Sequence, residues 1–139
     1  MRGGTVVFYD GVCGLCNRLN RFLLARDRHE RIFFAPLQGP TAAARLTRYG
    51  CDPADLDTVY AVADWDLPTE RVYARSAAVL HTLRQLDRGW RILGRLGALI
   101  PRPLSDAAYR LVARNRYRVF GRFDSCPLPR PEWKSRFLE

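Results

Sequence analysis

Two cysteines three residues apart, Cys13 and Cys16, are the residues of this chain best suited to do chemistry. On a helix that spacing puts the sulfurs on neighbouring turns of one face, where they can join without moving the backbone. The flanking sequence says where the helix begins. Thr5-Val6-Val7-Phe8-Tyr9 is β-branched and aromatic and predicts a short buried strand, and Asp10-Gly11 predicts a turn. Leu15, Leu19, Phe22 and Leu23 then recur at helical spacing, with Arg18, Arg21 and Arg28 on the other side. The pair thus falls on the first turn of a helix that follows a strand. Unpaired N–H groups and a partial positive charge at that end favour an anion. Cys13 is expected as a thiolate, with a pKa in a range of roughly 3.5–7.5 in place of about 8.5. Cys16, one turn further in and shielded by the helix and Leu19, is expected to attack the mixed disulfide formed on Cys13 and release the product.

Each candidate has a plainer reading beside the chemical one. A metal site is the rival for the cysteine pair, but zinc wants four ligands. The other cysteines, Cys51 and Cys126, stand singly, as do His29 and His81, both expected at the surface. Cys51, after Gly50, reads as a partly buried hydrophobe. Cys126 either packs or serves as a third redox partner. Asp10 either moves a proton to or from Cys16 or caps the turn. Arg75 and Ser76 open a later helix near the same edge. There Arg75 either steadies a thiolate or an anionic substrate group, or is a solvated residue beside a capping serine.

The elements that must hold these residues follow from the pattern. After the first helix, about 13–28, Arg31-Ile32-Phe33-Phe34-Ala35 predicts a second strand, parallel to the first because a helix joins them. Pro40 opens a short helix that stops at Gly50. Thr58 to Val62 and Arg71 to Tyr73 predict an antiparallel pair of strands. A helix then runs from Arg75 or Ser76 to Gly89. The order β-α-β-α-β-β-α is that of a minimal thioredoxin or glutaredoxin core, an α/β class. A C-terminal helical extension follows. Trp90, Leu93, Leu96 and Ile100 form one helical stripe, closed by Pro101 and Pro103. Ser105 is expected to cap a last helix to about Phe120, with Leu104 and Tyr109 as a staple. Its Ala108, Leu111, Val112 and Val119 are expected to pack on the core, and Arg110, Arg114, Arg116 and Arg118 to face outward. The chain is read as one domain over 1–139: a core at 1–89, a basic extension at 90–122 and a tail at 123–139, partly pinned by Trp133, Phe137 and Leu138.

The motif Asp10-Gly11-Val12-Cys13-Gly14-Leu15-Cys16-Asn17 resembles the signature of the DCC family of thiol-disulfide oxidoreductases, named for its Asp and two Cys. Arg75-Ser76-Ala77-Ala78, Ile100-Pro101-Arg102-Pro103, Ala113 to Tyr117, Phe120-Gly121-Arg122 and Cys126-Pro127 resemble family stretches as well, so nearly the whole chain is covered. The resemblance implies a thioredoxin-like fold and a redox function with Cys13 and Cys16 catalytic and Asp10, Gly11, Arg75 and Ser76 in support. It implies no bound cofactor, since electrons come from an external thiol reductant. The resemblance leaves the substrate undefined; a disulfide-containing protein or a small thiol substrate is expected. One departure stands out. Thioredoxin-like proteins place a cis-proline before the third strand, where its backbone receives substrate. Here Asp57 or Thr58 holds that place, and Pro53 comes too early. Substrate docking is therefore expected to differ. Gly14-Leu15 between the cysteines also lacks the Pro or His of better-known members, which leaves the redox potential open.

Composition sets the remaining bounds. A chain of 139 residues, 47% hydrophobic, is large enough to bury an ordinary core. No apolar run is long enough to span a membrane, and no signal-peptide core precedes the first strand. A cytoplasmic location is expected, where four cysteines favour redox or metal chemistry over structural disulfides. The formal charge of +9 is uneven: residues 75–122 hold eleven Arg against Asp87 and Asp106, while the segments on either side each sum to zero. A second function class follows from this, a redox-sensing or partner-binding module whose basic helices dock to an acidic or membrane-associated partner. Nucleic acid is not expected, because no reader motif accompanies the arginines.

Overall fold

A computed structural model describes residues 3–122 and 131–138. Its elements are β1 (Thr5–Tyr9), α1 (Gly14–Arg26), β2 (Ile32–Pro36), α2 (Pro40–Arg48), β3 (Tyr60–Ala63), β4 (Arg71–Ala74), α3 (Ser76–Arg84), α4 (Arg88–Gly97) and α5 (Arg102–Phe120), then a 3-10 turn at Pro131–Arg136. The strands lie in the order β2-β1-β3-β4. β1 runs parallel to β2 and antiparallel to β3, and β4 is antiparallel to β3. This mixed sheet with helices on both faces is a thioredoxin-like arrangement, as the β-α-β-α-β-β-α pattern implied.

Strand alternation divides the core. Val6, Phe8, Ala35 and Val62 point to one face and pack with Ala42, Leu46 and Trp65. Val7, Tyr9, Ile32 and Phe34 point to the other and pack with Leu23, Leu24 and Leu86. β1 is central and buried on both sides, which explains its unbroken apolar run. The tail is pinned along β2. Arg136 reaches the buried carboxylate of Asp27 and the Ile32 carbonyl (Nε···O 2.9 Å), Phe137 stacks on Phe34 at 5.2 Å, and the Leu138 N–H donates to the Phe34 carbonyl. Cys126 lies outside the described residues. Among those described, no helix is long and apolar enough to cross a membrane.

Several expectations need correction. The helix expected to reach Gly89 stops at Arg84, because Leu86 turns into the core and Asp87 takes an extended backbone that starts α4. α5 begins at Arg102, not Ser105. Pro101 and Pro103 sit where a helix has no N–H partner to lose, so Ser105 falls inside the helix. His81 is buried, stacked on Tyr73 with ring centroids 4.6 Å apart, and burial pushes its pKa down to about 4. It packs as a neutral ring. The apolar residues of α5 do not reach the core: Leu111 is 64% and Val119 67% exposed. The inward face of that helix is taken by polar residues, Tyr109 and Arg116, bonded to other segments.

α4 is inverted in the same sense. It lies on α3 by its glycines: a Cβ on Gly94 would come 2.9 Å from the Leu80 carbonyl oxygen, and one on Gly97 2.5 Å from a Leu80 methyl. Ile92, Leu93 and Leu96 consequently point away from the protein.

Candidate active site

The cysteine motif hangs from the end of β1. Leaving Tyr9, the chain turns with the Cys13 N–H donating to the Asp10 carbonyl, and the Val12 N–H donating to the Asp10 carboxylate. Gln38, just after β2, accepts the Gly11 N–H through its side chain. Asn17 ties the turn from within α1, donating from Nδ2 to the carbonyls of Gly11 and Cys13 at 3.0 and 2.9 Å. Cys13 itself is the N-cap, and its sulfur accepts the Cys16 N–H at 3.4 Å. The two cysteines stand 3.5 Å apart as free thiols. The strand, the turn and the helix mouth therefore bring the pair together where the spacing placed it.

The sulfurs are unequal. A hydrogen bond from the Cys16 thiol, helped by backbone N–H groups of Cys16 and Leu15 and the positive charge of Arg116, outweighs burial and lowers the Cys13 pKa from 9.0 to about 6. The same shared proton, burial and the charge on Cys13 push the Cys16 thiol well up. At neutral pH the pair is one thiolate and one thiol. Exposure runs the other way: Cys13 is 0% exposed, whereas Cys16 is half-buried and lines a cavity. The cover over Cys13 is the end of α5. Arg122 forms an isolated bridge to Cys13, and the Gly14 N–H donates to the Gly121 carbonyl at 3.1 Å. A Cβ on Gly14 would come 2.2 Å from the Phe120 carbonyl oxygen, so this strap closes only over a glycine between the cysteines. Cys16, expected to be the shielded sulfur, lines a cavity, and it is Cys13 that the chain covers completely.

Asp10 is 1% exposed and carries its charge. Burial opposes ionisation, but hydrogen bonds from Tyr117, Gln38, Arg116 and the Val12 N–H hold its pKa below the usual carboxylate range. Arg116 Nη2 lies 3.1 Å from the Asp10 carboxylate, and Nη1 lies 2.7 Å from Asp57. Arg116 also donates to the carbonyl of Leu56 at 2.9 Å. It is buried at 4% exposure, correcting its expected outward place. The Tyr117 hydroxyl donates to the same Asp10 oxygen. α5 thus contributes two side chains and a backbone strap to the motif. The signal that points to this pairing is a buried acid at a turn, which needs a cation from somewhere.

The other predicted residues separate. Gly11 sits in the motif turn. Ser76 lines the cavity that Cys16 lines, with its hydroxyl donating to Asp106 at 2.5 Å. It does not cap α3; Arg75 holds that position, with no side-chain cap and with φ +57, a strained value for a residue with a side chain. Its N–H is bound by the Val59 carbonyl, and its side chain lines a neighbouring groove with Asp55, Asp57 and Arg110. The backbone ahead of β3, where thioredoxins take substrate, is occupied here: the Val59 N–H donates to the Tyr109 hydroxyl at 2.8 Å. Cys51 is half-buried, and burial raises its pKa. Among the described residues no three or more His, Cys, Asp or Glu gather as a metal-binding group.

A thioredoxin-like sheet carrying a Cys-x-x-Cys pair at the mouth of its first helix defines the class, a thiol redox protein. Comparison gives the family. Residues 7–122 match the model of the DCC1-like thiol-disulfide oxidoreductases, and the chain belongs to that family. It is 35% identical over 133 residues to the uncharacterised protein YuxK of Bacillus subtilis, covering 96% of this chain and 93% of YuxK. It is 36% identical over 123 residues to a chloroplastic DCC family protein of Arabidopsis thaliana, covering 88% and 69% of the two chains. No solved structure gives a significant match.

Proposed function

We propose that the protein reduces disulfides by exchange through Cys13 and Cys16. The observation that carries the reading is the Cys13 sulfur at the helix N-cap, accepting hydrogen bonds from both the thiol and the N–H of Cys16. The Cys13 thiolate attacks one sulfur of the substrate disulfide; a Cys13–substrate disulfide forms, the substrate S–S bond breaks, and the departing thiolate takes a proton from Cys16. Cys16, now the thiolate, attacks the Cys13 sulfur and expels the second substrate sulfur as a thiolate, which takes its proton from solvent. The substrate gains two electrons and two protons, and the protein is left with a Cys13–Cys16 disulfide. An external dithiol returns it to the reduced state, so no resident cofactor takes part. The substrate is a disulfide-containing protein or small disulfide, and the setting is cytoplasmic.

Access to Cys13 requires the Gly121–Arg122 strap to lift, and that strap is held to the motif by backbone contacts at Cys13 and Gly14. Asp10 acts here as a fixed anion that anchors Arg116 and the turn, since a carboxylate held ionised is a poor proton carrier at neutral pH. Residues 1–89 form the exchange core, and 90–122 complete the site from the far end of the chain.

The test is trapping. With Cys16→Ser the first attack still occurs and the resolving step is lost, so a covalent adduct through Cys13 accumulates with a model disulfide peptide and is released by dithiothreitol. Mass spectrometry that finds no adduct on Cys13, or an equal yield from Cys13→Ser, overturns the mechanism.

A further inference from the structure

Between α1, α3 and α5, beside Cys16, lies a cavity of about 430 Å³. Leu15, Leu19, Val59, Val79 and Leu80 make hydrocarbon walls, and Ile100 and Val112, both about half exposed, stand at its rim. Few polar groups face it. Arg116, the only cationic side chain among the described residues of the lining, is already matched by Asp10 and Asp57. Asn20 is different. It is 2% exposed, it lines the cavity, and among the described residues neither its amide nitrogen nor its amide oxygen has a hydrogen-bond partner. A buried carboxamide is ordinarily paired. Cys16 and Asn20 are four residues apart on one helix stripe, roughly 6 Å along the axis.

We propose that this cavity binds an uncharged apolar molecule whose carbonyl or carboxamide head pairs with Asn20. On the exchange reading above, on which this half depends, the small-molecule substrate is then a neutral apolar disulfide whose apolar part lies in the cavity and whose S–S bond meets Cys13 once the Gly121–Arg122 strap lifts; it is reduced to its dithiol as Cys13 and Cys16 become a disulfide. The size suits a small ligand. The carboxylates of glutathione disulfide would enter a hydrocarbon pocket with no unmatched cation to receive them.

Octanamide, which has no sulfur, tests binding apart from chemistry. Calorimetry on the full reduced chain is expected to show saturable binding, weakened about tenfold by Asn20→Leu, while toluene, which lacks the head, binds the variant no worse than the wild type. That variant removes two unpaired polar atoms, so its fold is not at risk, and circular dichroism checks this. No octanamide binding overturns the site; equal loss for both ligands, or for neither, overturns the role of Asn20. For the substrate class, lipoamide is expected to exceed glutathione disulfide in kcat/KM by at least about tenfold, and the reverse order overturns it. Octanamide binding without reduction of either disulfide supports the cavity and counts against the exchange reading alone.

A second inference rests on a different face. An amphipathic helix normally buries its apolar side. Here Gly94 and Gly97 of α4 face inward, and Ile92, Leu96, Leu99 and Leu104 are 56%, 56%, 79% and 63% exposed around the α4–α5 elbow. Arg95, Arg102, Arg110, Arg114 and Arg118 are exposed on the same two helices. We infer that this face lies on an anionic lipid surface, leucines in the acyl boundary and arginines among the phosphates. A second copy would set one arginine row against another.

Vesicles of phosphatidylcholine with phosphatidylglycerol are expected to co-sediment the protein and those of phosphatidylcholine alone to do so at least tenfold less. Ile92→Glu with Leu96→Glu, and separately Arg110→Glu with Arg114→Glu, are each expected to lower binding about tenfold. All four positions are exposed or on the outer face, so folding is not at stake. No binding to the anionic vesicles, or binding that both variants retain, overturns the inference. So does a sedimentation-velocity dimer that Ile92→Glu with Leu96→Glu dissociates.

Discussion

Replacing Cys13 with serine is expected to lower disulfide reduction by roughly a thousandfold or more, since the attacking atom itself is removed. The pH dependence of the wild type is the sharper result. A sulfur with a pKa of about 6 is ionised for about nine-tenths at pH 7, where a thiol at 9.0 is ionised for about one-hundredth. The sign is fixed by which form reacts. Activity and alkylation by iodoacetamide both need the thiolate, so both are expected to rise through pH 6, level off above about pH 7, and fall tenfold per unit on the acid side. The strap over Cys13 slows both by the fraction of time it is open, without moving the midpoint. Mass spectrometry after brief alkylation at pH 7 should find the label on Cys13, even though Cys16 is the more exposed residue. A midpoint near 9, or first labelling at Cys16, would remove the basis for naming Cys13 the nucleophile.

The divide between what was legible and what was not follows the range of the interactions. Thr5–Tyr9, Asp10-Gly11 and the pair at Cys13 and Cys16 are governed by contacts a few residues away, and the β1–turn–α1 junction could be read directly. The four strands were also legible, because alternation and turn residues are local signals. Arg116 was not. Its partner Asp10 lies 106 positions earlier, and an arginine among Arg110, Arg114 and Arg118 gives no sign of facing inward. His81 failed for a similar reason, since its contact with Thr5 spans 76 positions and its stacking on Tyr73 depends on how α3 folds back on β4. The exposed leucines of α4 and α5 broke a rule that usually holds, that an apolar stripe finds the core. Such breaks concentrate where a protein has work to do beyond folding.

Arg116→Met is expected to cost about 3–5 kcal/mol, the usual penalty for stripping one partner from a buried ion pair. Both ends are shielded from water, with side chains 5% and 0% exposed, so the loss is little screened. For a domain of this size the melting temperature should drop by roughly 10–20 °C, read by calorimetry or circular dichroism. Much of that penalty is the stranded Asp10 carboxylate, so Asp10→Asn added to Arg116→Met should recover part of it. A double-mutant cycle with no coupling would show that the pair does not act as a unit. Arg116→Lys should restore little, because one ammonium cannot reach Asp10, Asp57 and the Leu56 carbonyl together. A second readout separates positioning from bare stability. Arg116 is one of the charges that lower the Cys13 pKa, so its loss should move the alkylation midpoint upward, toward that of an ordinary thiol. If the midpoint stays at about 6 while stability falls, Arg116 only fastens α5. If both move, the late helix tunes the sulfur it covers, and the exchange site extends from the first helix to the end of α5.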